Sequence, residues 1–126
     1  RDFADLPRVD AWISVSGILD AAAGPMCRMW LSRWVLPGGA PEWAAPNRYL
    51  DPADPPGWIV QGDTDGWVEP QGARTMKDAA TRTGAVVHLD LVDRDAAGRR
   101  LPVEDVGHSP LGGANAAALD AFLSSL

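Results

Sequence analysis

Two short polar segments hold the residues of this 126-residue chain that are best suited to chemistry. One is Gly62-Asp63-Thr64-Asp65-Gly66-Trp67-Val68-Glu69-Pro70; the other is Val106-Gly107-His108-Ser109-Pro110. A carboxylate beside an imidazole has a defined use. It fixes the ring's tautomer and stabilises the imidazolium formed when the ring takes a proton from a nucleophile. With an unperturbed pKa of about 6.5, histidine can both accept and donate a proton near neutral pH. Asp65 and Asp63 compete for the carboxylate role, and each also has a plain alternative as a turn residue. The pair still requires a nucleophile.

These segments follow two stretches that read as strands. Trp58-Ile59-Val60-Gln61 runs from Pro55-Pro56-Gly57 to Gly62, a short apolar strand between breakers. Ala85 to Val92 is rich in β-branched residues with partial alternation. A third strand is expected over Ala11–Val15, closed by Ser16-Gly17. Helices are expected from Pro70 to Gly84, with Ala73, Met76, Ala80 and Thr83 on one face, and at the carboxyl end, where Asn115, Leu119, Phe122, Leu123 and Leu126 form a stripe. A further helix could run from Pro25 to Leu36 with Met26, Met29, Trp30 and Trp34 on one face, and Cys27 as inert filler. From Pro37 to Pro56 six prolines and no apolar period indicate an irregular excursion.

Strands alternating with helices imply parallel strands joined by crossovers, an α/β layered sheet. In such sheets the working groups gather in loops beyond the carboxyl ends of strands. Neighbouring strands lie only about 5 Å apart, so the Asp65 and His108 loops can meet. Three parallel strands make a poor independent sheet, and the chain starts at Arg1 without an initiator Met; both suggest a piece of something longer. The first strand is then expected to present an unpaired edge.

Composition narrows the function. Eleven Lys+Arg against seventeen Asp+Glu give a formal charge of −6, which disfavours a phosphate-tracking surface and hence nucleic acid as a partner. No segment reaches the roughly 18 uninterrupted apolar residues of a membrane span. A single cysteine excludes an intramolecular disulfide and a Cys-based metal cluster.

Taken together, Ser16-Gly17-Ile18-Leu19-Asp20 after a strand, Pro55-Pro56 before the next, the Gly62-x-x-Asp65-x-x-Val68-x-Pro70 turn and Gly107-His108 before a terminal helix resemble the carboxy-terminal half of α/β-hydrolases. The likeness is greatest to bacterial esterases and lipase-like carboxylesterases, with dienelactone hydrolase and prolyl oligopeptidase relatives nearby. It covers most of residues 11–126. The resemblance implies a partial α/β-hydrolase fold of about three parallel strands with flanking helices, occupying all of residues 1–126, with a lid-like insertion at 21–56. It implies Asp65 as the acid and His108 as the base of a Ser-Asp-His triad, in the family's chain order. Trp67, next to the acid loop, has two open readings, a lining residue of an acyl or alcohol pocket and simple packing. The substrate would be a small-molecule ester, and no metal or organic cofactor would be needed. Gln61 departs from the histidine often found before this glycine, a position outside the triad.

The chain also departs from the family by absence. It has no Gly-x-Ser-x-Gly elbow and no His-Gly-Gly oxyanion loop, and Ser14 and Ser16 lack the strand-to-helix surroundings of a nucleophile. The nucleophile and oxyanion hole are therefore expected in an amino-terminal half of the same protein, and this chain alone is expected to be inactive. Two other readings compete. Asp105-Val106-Gly107-His108 has the Asp-x-x-His spacing that resembles GDSL-type (SGNH) esterases, but the serine of their first block is Thr64 here. A non-catalytic α/β binding module, or a degenerate hydrolase-like domain, would make both loops ligand contacts or simple turns. His88, inside a strand, is expected to be structural.

Overall fold

The structure, a computed structural model, describes residues 8–20, 45–93, 99 and 113–126, and in the last segment the side chains from 116 onward. Among these residues three strands form one parallel sheet: β1 (Trp12–Val15), β2 (Gly57–Gly62) and β3 (Val87–Val92), in the spatial order β1-β2-β3. Trp12 pairs with Gly57 and Val15 with Val60 on one side of β2; Gly57 pairs with Val87 and Gly62 with Val92 on the other. Among the described residues the helices are α1 (Gln71–Thr83) and α2 (Gly113–Ser124), with a 3-10 turn at Pro46–Arg48 inside the proline-rich stretch.

All six residues of β2 are buried, as a central parallel strand covered on both faces requires. Alternation divides its side chains between two cores. Ile59 packs with Leu19, Val87 and the Ala73, Met76 and Ala80 face of α1. Trp58 and Val60 pack on the opposite face with Phe122 of α2, flanked by Ala11, Val92 and Leu119. Full burial of an Ile or Val of this kind contributes about 1.5–3 kcal/mol. The three expected strands and the helices expected from Pro70 to Gly84 and at the carboxyl end are present within a residue or two of their sequence bounds, with two differences. Thr83 points outward from α1, its hydroxyl donating to the carbonyls of Ala79 and Ala80. Leu123 and Leu126, placed on the terminal stripe by periodicity, are exposed, because α2 meets the sheet through Leu119 and Phe122.

Local chemistry sets the ends of α1. Pro70 sits at the N-cap, where its missing N–H costs nothing. Gly84 ends the helix at φ 85°, and its N–H donates to the Ala80 carbonyl at 2.9 Å. A side chain there would be forced into the left-handed region that glycine occupies freely. The first turn of α1 lies against the segment following β1: a Cβ on Gly72 would stand 3.4 Å from the Asp20 nitrogen. Asp20 Oδ2 accepts hydrogen bonds from Asn47 Nδ2 and Thr75 Oγ1, both at 3.1 Å, joining three segments at this corner.

Among the described residues β1 has a strand neighbour on one side, with Ile13 and Val15 partly exposed. The expected helix at 25–36 and most of the expected insertion at 21–56 lie outside the described residues.

Candidate active site

The loop after β2 carries the two candidate acids, and the structure treats them differently. Asp63 extends the β2–β3 pairing, its N–H donating to the Val92 carbonyl at 2.9 Å. Its side chain forms an ion pair with Arg74 of α1, and both groups are partly exposed. Asp65 turns inward and is only 4% exposed.

Its burial is compensated by hydrogen-bond donors. Oδ1 accepts the backbone N–H groups of Trp67 at 2.8 Å and Val68 at 3.0 Å. Oδ2 accepts from the side-chain amide of Gln61 at 2.9 Å. The Asp65 N–H donates to the Gly62 carbonyl at 3.2 Å, closing the turn. A carboxylate has about four acceptor positions, so these three donors satisfy most of its capacity. Hydrogen bonds to an ionised acceptor are roughly twice as strong as neutral ones, which is how a buried carboxylate becomes tolerable here.

Gln61 is the residue that sequence reasoning undervalued. It is fully buried at the end of β2, and its Nε2 donates both to Asp65 Oδ2 and to the Val68 carbonyl, each at 2.9 Å. Those acceptors fix the amide's orientation, because the flipped form would set oxygen against oxygen. Its Oε1 is consequently buried without a partner. Such an atom costs about 1–3 kcal/mol. The signal was present in the sequence as a lone amide closing an otherwise apolar strand.

The other candidates fall as follows. His108, Asp105 and the rest of their loop lie outside the described residues, as does Cys27. The Trp67 side chain is 50% exposed while its N–H serves the acid. Ser16 ends β1 at φ 48° with a buried hydroxyl that has no partner. No helix occupies residues 17–20, so the turn that would present it as a nucleophile is missing there. His88 is exposed on β3 and its ring meets Phe122 edge-on at 5.5 Å between centroids, a packing contact.

No protein-family model matches the chain, and no curated protein matches it. Two solved structures share its architecture. One is assigned as a carboxylesterase from Lactobacillus plantarum WCFS1, with a TM-score of 0.59 and 19% identity, over 94% of this chain and 43% of that one. The other is the carboxylesterase Cest-2923 from the same organism, with a TM-score of 0.57 and 16% identity, over 95% of this chain and 44% of that one. The chain thus spans less than half the length of the structures it resembles. At such identities the likeness is one of architecture: three parallel strands with flanking helices, part of an α/β-hydrolase fold.

Proposed function

We propose that this chain is the carboxy-terminal part of a serine carboxylic-ester hydrolase, in which Asp65 is the triad acid and His108 the base. The observation that carries this reading is the Asp65 carboxylate, buried at the carboxyl end of the central strand and held through both oxygens. The carboxyl ends of strands are where open α/β sheets collect their reacting groups. The carboxylesterase architecture of the two similar structures supports the same assignment.

In this mechanism a serine in the amino-terminal half attacks the ester carbonyl as His108 takes its proton. His108 returns that proton to the departing alcohol, leaving an acyl-enzyme. Water then attacks the acyl carbon, again giving up a proton to His108, and the acid is released with the serine restored. Asp65 holds the imidazole in its productive tautomer throughout. Backbone N–H groups of the amino-terminal half bind the oxyanion, each donor contributing about 3–4 kcal/mol to the barrier reduction. Trp67, half-exposed beside the acid, lines the pocket for a small-molecule ester. The chemistry uses protein groups alone.

The two backbone N–H bonds on Oδ1 are also what a loop cap would make, which favours a non-catalytic α/β module as the second reading. Fluorophosphonate labelling and ester turnover of the intact protein separate the two. The esterase reading expects rapid labelling, and a fall in kcat of about 10⁴ in Asp65→Asn through the wrong tautomer. Absence of labelling and of turnover refutes it in favour of the module, whereas a fall below tenfold in that variant, with a large loss in Asp105→Asn, gives the acid's role to Asp105.

A further inference from the structure

We infer that Gln61 is the positioning residue of this site, setting the orientation of the Asp65 carboxylate through its buried amide; the inference rests on the esterase reading above. One nitrogen reaches two points of the acid loop: the carboxylate at the turn and the Val68 carbonyl where the loop heads toward α1. The side chain doing so belongs to the central strand, which is buried along its whole length, so the carboxylate is referenced to the most deeply buried strand described. The backbone N–H groups meet Oδ1, and the Gln61 amide meets Oδ2 from the other side of the turn.

Packing alone does not account for the residue. A methionine would fill the same volume among Ile59, Ala73 and their neighbours without burying an unpartnered amide oxygen. Buried polar atoms left unsatisfied in a native structure call for a reason beyond stability. Here that reason is orientation: the same amide whose oxygen is left unpartnered holds Asp65 Oδ2 and the Val68 carbonyl at once. Gln61 thereby acts on the base through the acid, without touching substrate.

The test compares Gln61→Met, of similar volume with no donor, and Gln61→His, which keeps a ring N–H, in the intact protein. Turnover is expressed per active site titrated with the fluorophosphonate probe, so that poorly folded molecules drop out of the rate. Misplacing a catalytic group by an ångström can cost 10²-fold, so Gln61→Met should lower kcat per site about 10–100-fold with KM within twofold of the parent. Gln61→His should recover part of that loss. A purely structural role would reduce the number of titratable sites and leave kcat per site unchanged, and that result overturns the inference. Equal losses in both variants overturn it too. Should Gln61→Met fail to accumulate, Gln61→Glu, similar in shape but with oxygen replacing the donor, is read by the same per-site criterion. An unsubstituted protein that neither labels nor turns over ester overturns the esterase reading and this inference with it, whereas turnover with an unaffected Gln61→Met overturns this inference alone.

Discussion

Replacing Asp65 with asparagine poses a problem of hydrogen-bond polarity that the structure makes countable. The carboxylate accepts from three donors: the N–H groups of Trp67 and Val68 on Oδ1 and the Gln61 amide on Oδ2. An asparagine has one oxygen. If it faces the two backbone donors, its own NH₂ meets the NH₂ of Gln61, donor against donor. Gln61 can escape by turning its amide over, but Oε1 then confronts the Val68 carbonyl and that 2.9 Å bond is lost. Either way one bond goes, and a charge-assisted bond of this kind is worth about 1.5–3 kcal/mol. The two backbone bonds also weaken from charged to neutral strength. The expected cost is about 2–4 kcal/mol, read from urea unfolding of the intact protein with an unchanged m-value. The conflict itself is isolated by a double-mutant cycle with Gln61→Met. Once the opposing amide is gone, Asp65→Asn should cost about 1.5–3 kcal/mol less. Additivity within about 0.5 kcal/mol would show that the two side chains do not share the interaction described, and would refute the reasoning.

Three further outcomes follow from other contacts. Gly57→Ala places a Cβ 2.1 Å from the Trp12 ring atoms Cε2 and Cζ2, so the indole must shift; a loss of about 1–3 kcal/mol is expected in the same unfolding assay. Gly84→Ala meets no atom closer than Pro52 Cγ at 3.9 Å, yet forces a side chain into φ 85°. Its cost is conformational, about 1–2 kcal/mol, and thermal unfolding should show a lowered Tm. Trp67→Ala removes a half-exposed side chain while keeping the N–H that serves Asp65, so stability should change by less than about 0.5 kcal/mol. In the esterase reading its KM rises with kcat nearly unchanged, measured by steady-state ester turnover.

The sheet was legible because breakers and apolar runs agree along the chain. Pro55-Pro56-Gly57 opens β2, Gly62 closes it, and Gly84 ends α1 as a left-handed cap. The terminal helix was legible as a helix, but its buried face was not. Periodicity assigns Leu123 and Leu126 the same status as Phe122, and only the position of α2 over Trp58 and Val60 selects among them. The Asp20–Asn47–Thr75 corner was hidden for a related reason, since its members stand 27 and 55 residues apart and meet only when α1 docks beside the end of β1. Gln61 was legible as the last residue of the central strand, but its bond to Asp65 was not, because only the turn after Gly62 brings the two side chains together.

The choice between the two acids turns on burial. In sequence Asp63 and Asp65 stand on either side of one threonine, and the Gly62-x-x-Asp65-x-x-Val68-x-Pro70 pattern is what sets them apart. Their supports differ in stiffness. Asp63 is held by Arg74, a long side chain in a partly exposed ion pair, an interaction worth about 0–1 kcal/mol. Asp65 is held by the backbone of its own loop and by an amide projecting from a strand buried along all six residues. A group that must orient an imidazole needs placement to about 0.5 Å, which surface ion pairs do not provide and packed second contacts do. Burial therefore separates a carboxylate able to impose geometry on a neighbour from one that stabilises a surface loop, and this is why the proposed triad takes Asp65 as its acid.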